Sequence, residues 1–141
     1  MTTPTRNFGF DDDTVYMYSH GYCWWLAKAL SDLTDLPVIA VWGKGCIRHV
    51  GVELPNGDVV DIDGVWNLQN WRNFWKSELD YCEEFSVGSV SMDDSGWRNI
   101  QNTYTPAMLS KNFELDYTLG EICDTIISIL NRYHLLRPLA A

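Results

Sequence analysis

The sequence of 141 residues predicts one α+β domain that spans residues 1–141. A chain of this length, 46% of it hydrophobic, is long enough to bury a single compact core. Three segments have the apolar spacing of a helix, and short β-branched or alternating segments lie between them. No repeat, low-complexity tract or linker divides the chain. The order helix, strands, helix, strand, helix is typical of the α+β class.

The first part of the chain combines a polar stretch with an apolar helix. Residues 1–15, which include the acidic run at 11–13, are expected to form a flexible arm or loop. From Cys23 onward, tryptophan, leucine and alanine side chains recur at helical spacing and give the segment a wide apolar face. This helix is expected to end near Asp35, because the residue before Pro37 favours an extended backbone.

The next segments are expected to form a central strand followed by a β-hairpin. Residues 38–42 are apolar and rich in β-branched side chains, as is typical of a buried strand. Residues 48–54 and 58–63 flank the sequence Pro-Asn-Gly at 55–57. Pro and Asn suit the middle of a type I turn, and Gly57 supplies the left-handed residue of a three-residue hairpin loop.

Two further helices and a short strand complete the predicted elements. Asn67 is expected to cap a helix whose tryptophan, phenylalanine and leucine side chains lie on one face. Residues 85–87 favour a short strand, and residues 89–97 favour a polar loop. Thr118 and Glu121 have the spacing of a capping box at the start of a last amphipathic helix.

The predicted hairpin brings ionisable side chains to one face. The loop at 55–57 sets three pairs of residues opposite each other: Leu54 with Asp58, Gly51 with Asp61, and His49 with Asp63. The residues expected to point the other way, into the core, are Val50, Val52, Leu54, Val60 and Ile62. His49 thus has Asp63 directly across and Asp61 on the diagonal, both at distances that side chains can span.

Cys23 is the candidate nucleophile that would complete a catalytic triad with this pair. A carboxylate beside an imidazole fixes the tautomer of the ring and stabilises its protonated form. Cys23 opens a helix, where unpaired backbone N–H groups and the positive end of the helix dipole stabilise negative charge. The same N–H groups are suited to an oxyanion hole.

Three segments resemble the papain-like fold in its circularly arranged bacterial form. They are Gly-Tyr-Cys-Trp-Trp-Leu-Ala-Lys-Ala-Leu at 21–30, His-Val-Gly-Val at 49–52 and Asp-Ile-Asp-Gly at 61–64. That group includes the transglutaminase core, arylamine acetyltransferases and cell-wall cysteine peptidases, and the resemblance covers about residues 19–66. It implies a papain-like thiol fold in which an N-terminal helix packs on a small antiparallel sheet.

The resemblance also implies a role for each candidate site residue. Cys23 would be the nucleophile, His49 the base and Asp61 the orienting acid, since Asp-x-x-Gly matches the pattern of the group. Asp63 is the alternative acid, favoured by direct cross-strand pairing. The spacing from Cys23 to His49 is short for the group, and no upstream Gln is evident for the oxyanion hole. The candidate oxyanion or site-wall residues are His20, Tyr22 and Trp24.

The expected function is thiol-dependent hydrolysis or acyl transfer at amide or isopeptide bonds of a protein or peptide. No cofactor and no metal is expected. The four cysteines include no C-x-x-C pair, which argues against a zinc site and a dense disulfide framework. Cys46, Cys82 and Cys123 are each interpreted as part of an apolar stretch without a second His or acid nearby, so they are expected to be structural. A reducing, cytoplasmic location is expected.

Charge and hydropathy limit the expected partners. The formal charge of −9 repels phosphate backbones and anionic lipid, so neither direct nucleic-acid binding nor a membrane partner is expected. The amino terminus lacks the basic and apolar regions of a signal peptide, and no apolar run approaches the length of a membrane span.

The alternative is a non-enzymatic, acidic inhibitor that binds a protein and uses a degenerate papain-like scaffold. Its surface anchors would be four tryptophans: Trp66, Trp71, Trp75 and Trp97. Small size and acidity would suit a phage or bacterial protein that acts on another protein in this way.

Overall fold

The computed structural model describes residues 3–19, 22–80, 83–90 and 118–137. Within these ranges the protein has four helices and one five-stranded antiparallel sheet, so the α+β class is confirmed. In chain order the elements are α1 (Asp12–Ser19), α2 (Cys23–Thr34), β1 (Val38–Gly43), β2 (Cys46–Glu53), β3 (Val59–Asp61), β4 (Gly64–Trp66), α3 (Leu68–Glu78), β5 (Ser86–Ser89) and α4 (Leu119–Arg132). The strand order in the sheet is β4-β3-β2-β1-β5.

The prediction of an arm or loop over residues 1–15 is wrong for its last four residues, because α1 begins at Asp12, whereas residues 3–11 contain no helix or strand beyond one isolated bridge. The Asp11 carboxylate accepts a hydrogen bond of 2.7 Å from the Thr14 backbone N–H, which caps the start of α1. Phe8 is buried, and Arg6 forms an isolated β-bridge with Val65 of β4. The acidic run therefore caps a helix, where negative charge is stabilised by the helix dipole, instead of marking a loop.

Helix α2 begins and ends where the sequence predicts. It begins at Cys23, and its C-cap residue, Asp35, has a left-handed backbone with φ 61°. The Asp35 backbone N–H donates to the Ser31 carbonyl, which closes the last turn.

The predicted register of the β2–β3 hairpin is confirmed. Val52 pairs with Val60, and the Leu54 backbone N–H donates to the Asp58 carbonyl at 2.7 Å. Gly57 has φ +91° and supplies the left-handed residue of the loop.

The second strand of this hairpin is shorter than predicted. Strand β3 ends at Asp61, which pairs with Gly64 across a tight turn into β4. Gly64 has φ +144°, and a Cβ at this position would collide with the Arg6 carbonyl. The prediction of one strand over 58–63 therefore missed both the turn and β4.

The sheet is buried on both faces. One face packs against α2 and α4, and the predicted core residues Val50, Val52, Leu54, Val60 and Ile62 all lie there. The other face packs against α3, whose Trp71 and Trp75 cover Val41 and Val59. His49 and Asp61 are on strands enclosed between these two layers and are both buried.

The predicted caps of the last two helices are confirmed. The Asn67 side chain accepts hydrogen bonds from Gln69 N–H and Asn70 N–H, at 3.0 and 3.3 Å. Thr118 and Glu121 form a reciprocal capping box. The short strand expected at 85–87 lies at Ser86–Ser89, while most of the loop expected at 89–97 falls outside the described residues. Among the described helices, none has the length and apolarity needed to cross a membrane.

Candidate functional site

The centre of the candidate site is a buried pair formed by His49 and Asp61. The His49 side chain is fully buried on β2, and its Nε2 lies 3.0 Å from Asp61 Oδ2. Because an ionised carboxylate only accepts hydrogen bonds, Nε2–H donates and the other ring nitrogen, Nδ1, faces elsewhere. The pair matches the orienting half of the predicted triad.

Asp61, and not Asp63, is the aspartate hydrogen-bonded to His49. Continuing the register would set residue 63 opposite His49, but β3 ends at Asp61 and the chain turns there. The Asp63 backbone N–H donates to Asp61 Oδ1 at 3.0 Å. The turn that shortens β3 is therefore the physical reason why the diagonal residue becomes the partner.

Two tryptophans that the sequence did not assign to the site also bind Asp61. Trp71 Nε1–H donates to Oδ2 at 2.9 Å, and Trp66 Nε1–H donates to Oδ1 at 3.0 Å. With His49 and the Asp63 backbone, the carboxylate of Asp61 accepts four hydrogen bonds while only 3% exposed. An isolated buried carboxylate would be strongly destabilising, so these donors keep the charge inside the protein.

The signal for these donors was present in the sequence. A buried indole N–H usually has a hydrogen-bond acceptor. The predicted hairpin supplies two candidate acceptors on one face, Asp61 and Asp63, shortly before Trp66 and Trp71 in the chain. What the sequence could not provide was the path of α3 back over this face.

Cys23, the first residue of α2, affects the pKa of His49. The Cys23 side chain is 4% exposed. Burial is the largest effect on the pKa of His49 and lowers it, but the charge of Cys23, the hydrogen bonds with Asp61 and Cys23 and the charge of Asp61 outweigh it. Together they raise the pKa of His49 to about 10. His49 thus brings the predicted nucleophile and the predicted acid into one charge-coupled group.

The Nδ1 atom of His49 has no hydrogen-bond partner in standard geometry among the described residues. Cys23 therefore acts on the ring more through proximity and charge than through a well-aligned hydrogen bond. Because Nε2 is bound to Asp61, Nδ1 is the ring nitrogen that can exchange a proton with a bound substrate.

Aromatic rings from α3 close the site. Trp75 stacks on His49 with ring centroids 4.1 Å apart, and Trp71 lies tilted with centroids 5.9 Å away. The binder alternative assigned four tryptophans to the surface, but Trp66, Trp71 and Trp75 are 2%, 0% and 8% exposed. These three are interior residues, so that assignment is wrong for them, and Trp97 lies outside the described residues.

The remaining candidates have different outcomes. Tyr22 directly precedes Cys23 and is half-buried, and Trp24 is buried in the first turn of α2. His20 lies outside the described residues. No group of three or more His, Cys, Asp or Glu side chains in the described ranges is arranged to hold a metal ion.

Comparison with known proteins gave no match. No protein-family model matches the chain, and no curated protein or solved structure is detectably similar to it. The resemblance of residues 21–30, 49–52 and 61–64 to the papain-like group therefore stays a prediction, and the function is inferred from the geometry of the site.

The other cysteines differ in exposure. Cys123 is buried in α4, and burial together with the Asp124 charge raises its pKa to about 11. Cys46 is exposed at the start of β2, so the expectation that it is a structural cysteine in an apolar stretch is wrong. Cys82 lies outside the described residues.

A cleft of about 360 Å³ lies beside the site, between α1 and α3. Its lining residues are Asp12, Val15, Tyr16, Ser19, Asp63, Phe74, Trp75 and Glu78. Trp75 is shared between the wall of this cleft and the stack on His49. One aromatic side chain therefore separates a concave surface from the buried pair.

Proposed function

We propose that the protein catalyses thiol-dependent acyl chemistry, hydrolysis or transfer, at amide or isopeptide bonds of a protein or peptide. Cys23 is the nucleophile, His49 the acid and base, and Asp61 the group that orients His49. The observation that carries this proposal is the coupling of one buried imidazole to a carboxylate at Nε2 and to a thiol at the start of a helix. The papain-like resemblance of the same three residues supports it.

The first half of the proposed reaction forms a thioester. The Cys23 thiolate attacks the carbonyl carbon of the substrate, a carbon–sulfur bond forms, and the carbonyl electron pair moves to oxygen. When the carbon–nitrogen bond breaks, the leaving nitrogen takes a proton from His49 Nδ1. The raised pKa of His49 favours this role, because the ring is then protonated near neutral pH.

The second half releases the acyl group. His49 Nδ1 takes a proton from water or from an acceptor amine as that nucleophile attacks the thioester carbon. The carbon–sulfur bond breaks, Cys23 leaves as the thiolate, and His49 is again protonated. Backbone N–H groups at the start of α2, including that of Cys23, are proposed to stabilise the negatively charged oxygen in both steps.

The burial of the triad favours a second candidate function. His49 is fully buried and Cys23 is 4% exposed, as expected of a polar network that only stabilises the fold. In that case the protein would act by binding a partner through its acidic surface, without chemistry. The two functions differ in the reactivity of Cys23.

Thiol alkylation distinguishes them. Cys46 is exposed and would react by accessibility alone, so the measurement uses a Cys46→Ser protein, with iodoacetamide and peptide mapping by mass spectrometry. We expect Cys23 to react faster than Cys82 and Cys123 near pH 7, and His49→Gln to slow Cys23 alone. Slow, uniform labelling of the native protein that His49→Gln does not change would reject the catalytic proposal.

Once a target is known, a biological assay also distinguishes the enzyme from the binding protein. Cys23→Ala removes the nucleophile and little volume, so an enzyme loses its effect while a binder keeps it.

A further inference from the structure

Helix α3 presents two tryptophans to the site, one helical turn apart and in different hydrogen-bonding states. Trp71 and Trp75 lie on the same face of the helix, and the rings of both contact His49. The Trp71 Nε1–H donates to Asp61 at 2.9 Å. The Trp75 Nε1–H is buried and has no partner among the described residues. Trp75 can therefore serve as the control for Trp71 when the role of the indole N–H is tested.

The hydrogen bonds divide evenly between the two oxygens of Asp61. Oδ2 accepts from His49 Nε2 and from Trp71 Nε1, at 3.0 and 2.9 Å. Oδ1 accepts from Trp66 Nε1 and from the Asp63 backbone, both at 3.0 Å. The terminal torsion of an aspartate is otherwise broad, so donors on both oxygens are what fix the plane of the carboxylate.

We propose that Trp71 and Trp66 are positioning residues of the thiol site: their indole N–H groups clamp the Asp61 carboxylate and so hold His49 in the orientation that serves Cys23. This inference rests on the proposed function. Neither tryptophan touches the substrate. Trp71 has the larger role, because its N–H shares the oxygen that binds His49.

Loss of the clamp should change both the rate of Cys23 alkylation and the pH dependence of that rate. The ionisable groups that act on His49 are Cys23 from α2 and Asp61 from β3. Helix α3 presents Trp71 and Trp75, and β1 pairs Val41 with His49, and none of these side chains titrates. A donor on Oδ2 draws charge away from His49, so its removal lets Asp61 hold the His49 proton more tightly.

The clamp itself is tested by NMR on the full chain, independently of any activity. The seven indole N–H signals are recorded in wild type, Asp61→Asn and Asp63→Asn proteins. Asp61→Asn removes the charge that binds two indoles, so the Trp66 and Trp71 signals should shift upfield while the Trp75 signal stays nearly fixed. Asp63→Asn keeps the Asp61 carboxylate and should leave the Trp66 and Trp71 signals close to their wild-type positions. Unchanged Trp66 and Trp71 signals in Asp61→Asn would overturn the clamp.

The positioning role is tested with Trp71→Phe, Trp66→Phe and Trp75→Phe in the Cys46→Ser background. We expect Trp71→Phe to lower the limiting rate of Cys23 alkylation about tenfold, because His49 is no longer held in place. The midpoint of the alkylation pH profile should fall by about 0.5 unit, because a more tightly held His49 proton favours the Cys23 thiolate, and both effects should be smaller for Trp66→Phe. Trp75→Phe keeps a stacked ring and loses an N–H without a partner, so its midpoint should match wild type.

The outcomes separate this inference from the proposed function. A purely structural role would lower the melting temperature in all three variants without moving the midpoint in any, and that result would overturn the inference. If Cys23 is already unreactive in the wild type, the proposed function fails, while the indole signals still decide whether the clamp exists.

Discussion

His49 depends on its two ionisable neighbours for its charge. Burial alone would favour the neutral ring, and it is the largest effect on the pKa. Cys23 is the largest of the effects that raise it. The protonation state of His49, on strand β2, therefore depends on a residue of helix α2.

The first prediction follows from this coupling. Cys23→Ala should lower the pKa of His49 below its value of about 10, because the strongest group that favours the protonated ring is lost. The pKa is measured by NMR titration of the His49 ring. Cys123→Ala is the matched control, since Cys123 is also a buried thiol but does not act on His49. An unchanged His49 titration in Cys23→Ala would mean that the two groups are not coupled.

The second prediction concerns the two aspartates. Asp61→Asn removes a buried charge that accepts four hydrogen bonds, so it should lower the free energy of unfolding by about 3 kcal/mol and slow Cys23 alkylation. Asp63→Asn should have smaller effects on both quantities, since the Asp63 contact with Asp61 is made by its backbone N–H, which the substitution keeps. Urea unfolding and alkylation rates measure the two effects. Equal effects of the two substitutions would contradict the assignment of Asp61.

The sequence predicted the residues of the pair better than their surroundings. The loop at 55–57 fixes the register, and the register brings Asp61 and His49 to neighbouring strands. The register alone could not decide whether Asp61 or Asp63 binds His49, because the choice depends on where β3 ends. The indole donors were missed since they reach the site through α3, whose position over the sheet is a long-range contact.

At the scale of elements, local signals predicted most boundaries. The start of α2, the Asn67 cap and the capping box at Thr118 each involve a few neighbouring residues, and each is confirmed. Helix α1 and strand β4 were missed for different reasons. The acidic run was interpreted by its charge instead of its capping geometry. The turn before β4 requires Gly64 to pass close to Arg6, a contact between distant parts of the chain.

The third prediction is that the N-cap of α3 supports both the fold and the site. Asn67→Ala removes the acceptor for two backbone N–H groups and should lower the free energy of unfolding by about 1 kcal/mol. Because α3 carries Trp71, the substitution should also slow Cys23 alkylation slightly. Asn73→Ala on the exposed face of α3 is the control and should have little effect on either. The measurements are urea unfolding and alkylation, and equal destabilisation by both variants would contradict a specific cap.

In the whole molecule, the charged network of His49 and Asp61 lies in an otherwise apolar core, between helices that pack on the two faces of the sheet. Helices cover both faces of the sheet, so His49 and Asp61 have lost water on every side. Such a network is stable only when its polar atoms are hydrogen-bonded. The carboxylate of Asp61 accepts four hydrogen bonds, two on each oxygen. Within the His49–Asp61 pair, Nδ1 of His49 has no hydrogen-bond partner among the described residues, and it is the atom that the proposed chemistry uses.

The last prediction links this network to the pH dependence of stability. His49 has a pKa raised from 6.5 to about 10 in the folded protein, so the native state binds its proton more tightly than the unfolded state. This stabilisation is complete below pH 6.5 and is lost as the pH rises toward 10. The free energy of unfolding of the wild type should therefore fall across this window relative to His49→Gln, in which the amide keeps an N–H donor for Asp61. Cys123, with a pKa raised from 9.0 to about 11, adds a loss of the same sign above pH 9, but it is common to both proteins and cancels in the comparison. Urea unfolding at half-unit steps of pH gives the difference curve. A flat curve would contradict net proton uptake by His49 on folding, because the ring would then take its proton from Cys23 within the native protein.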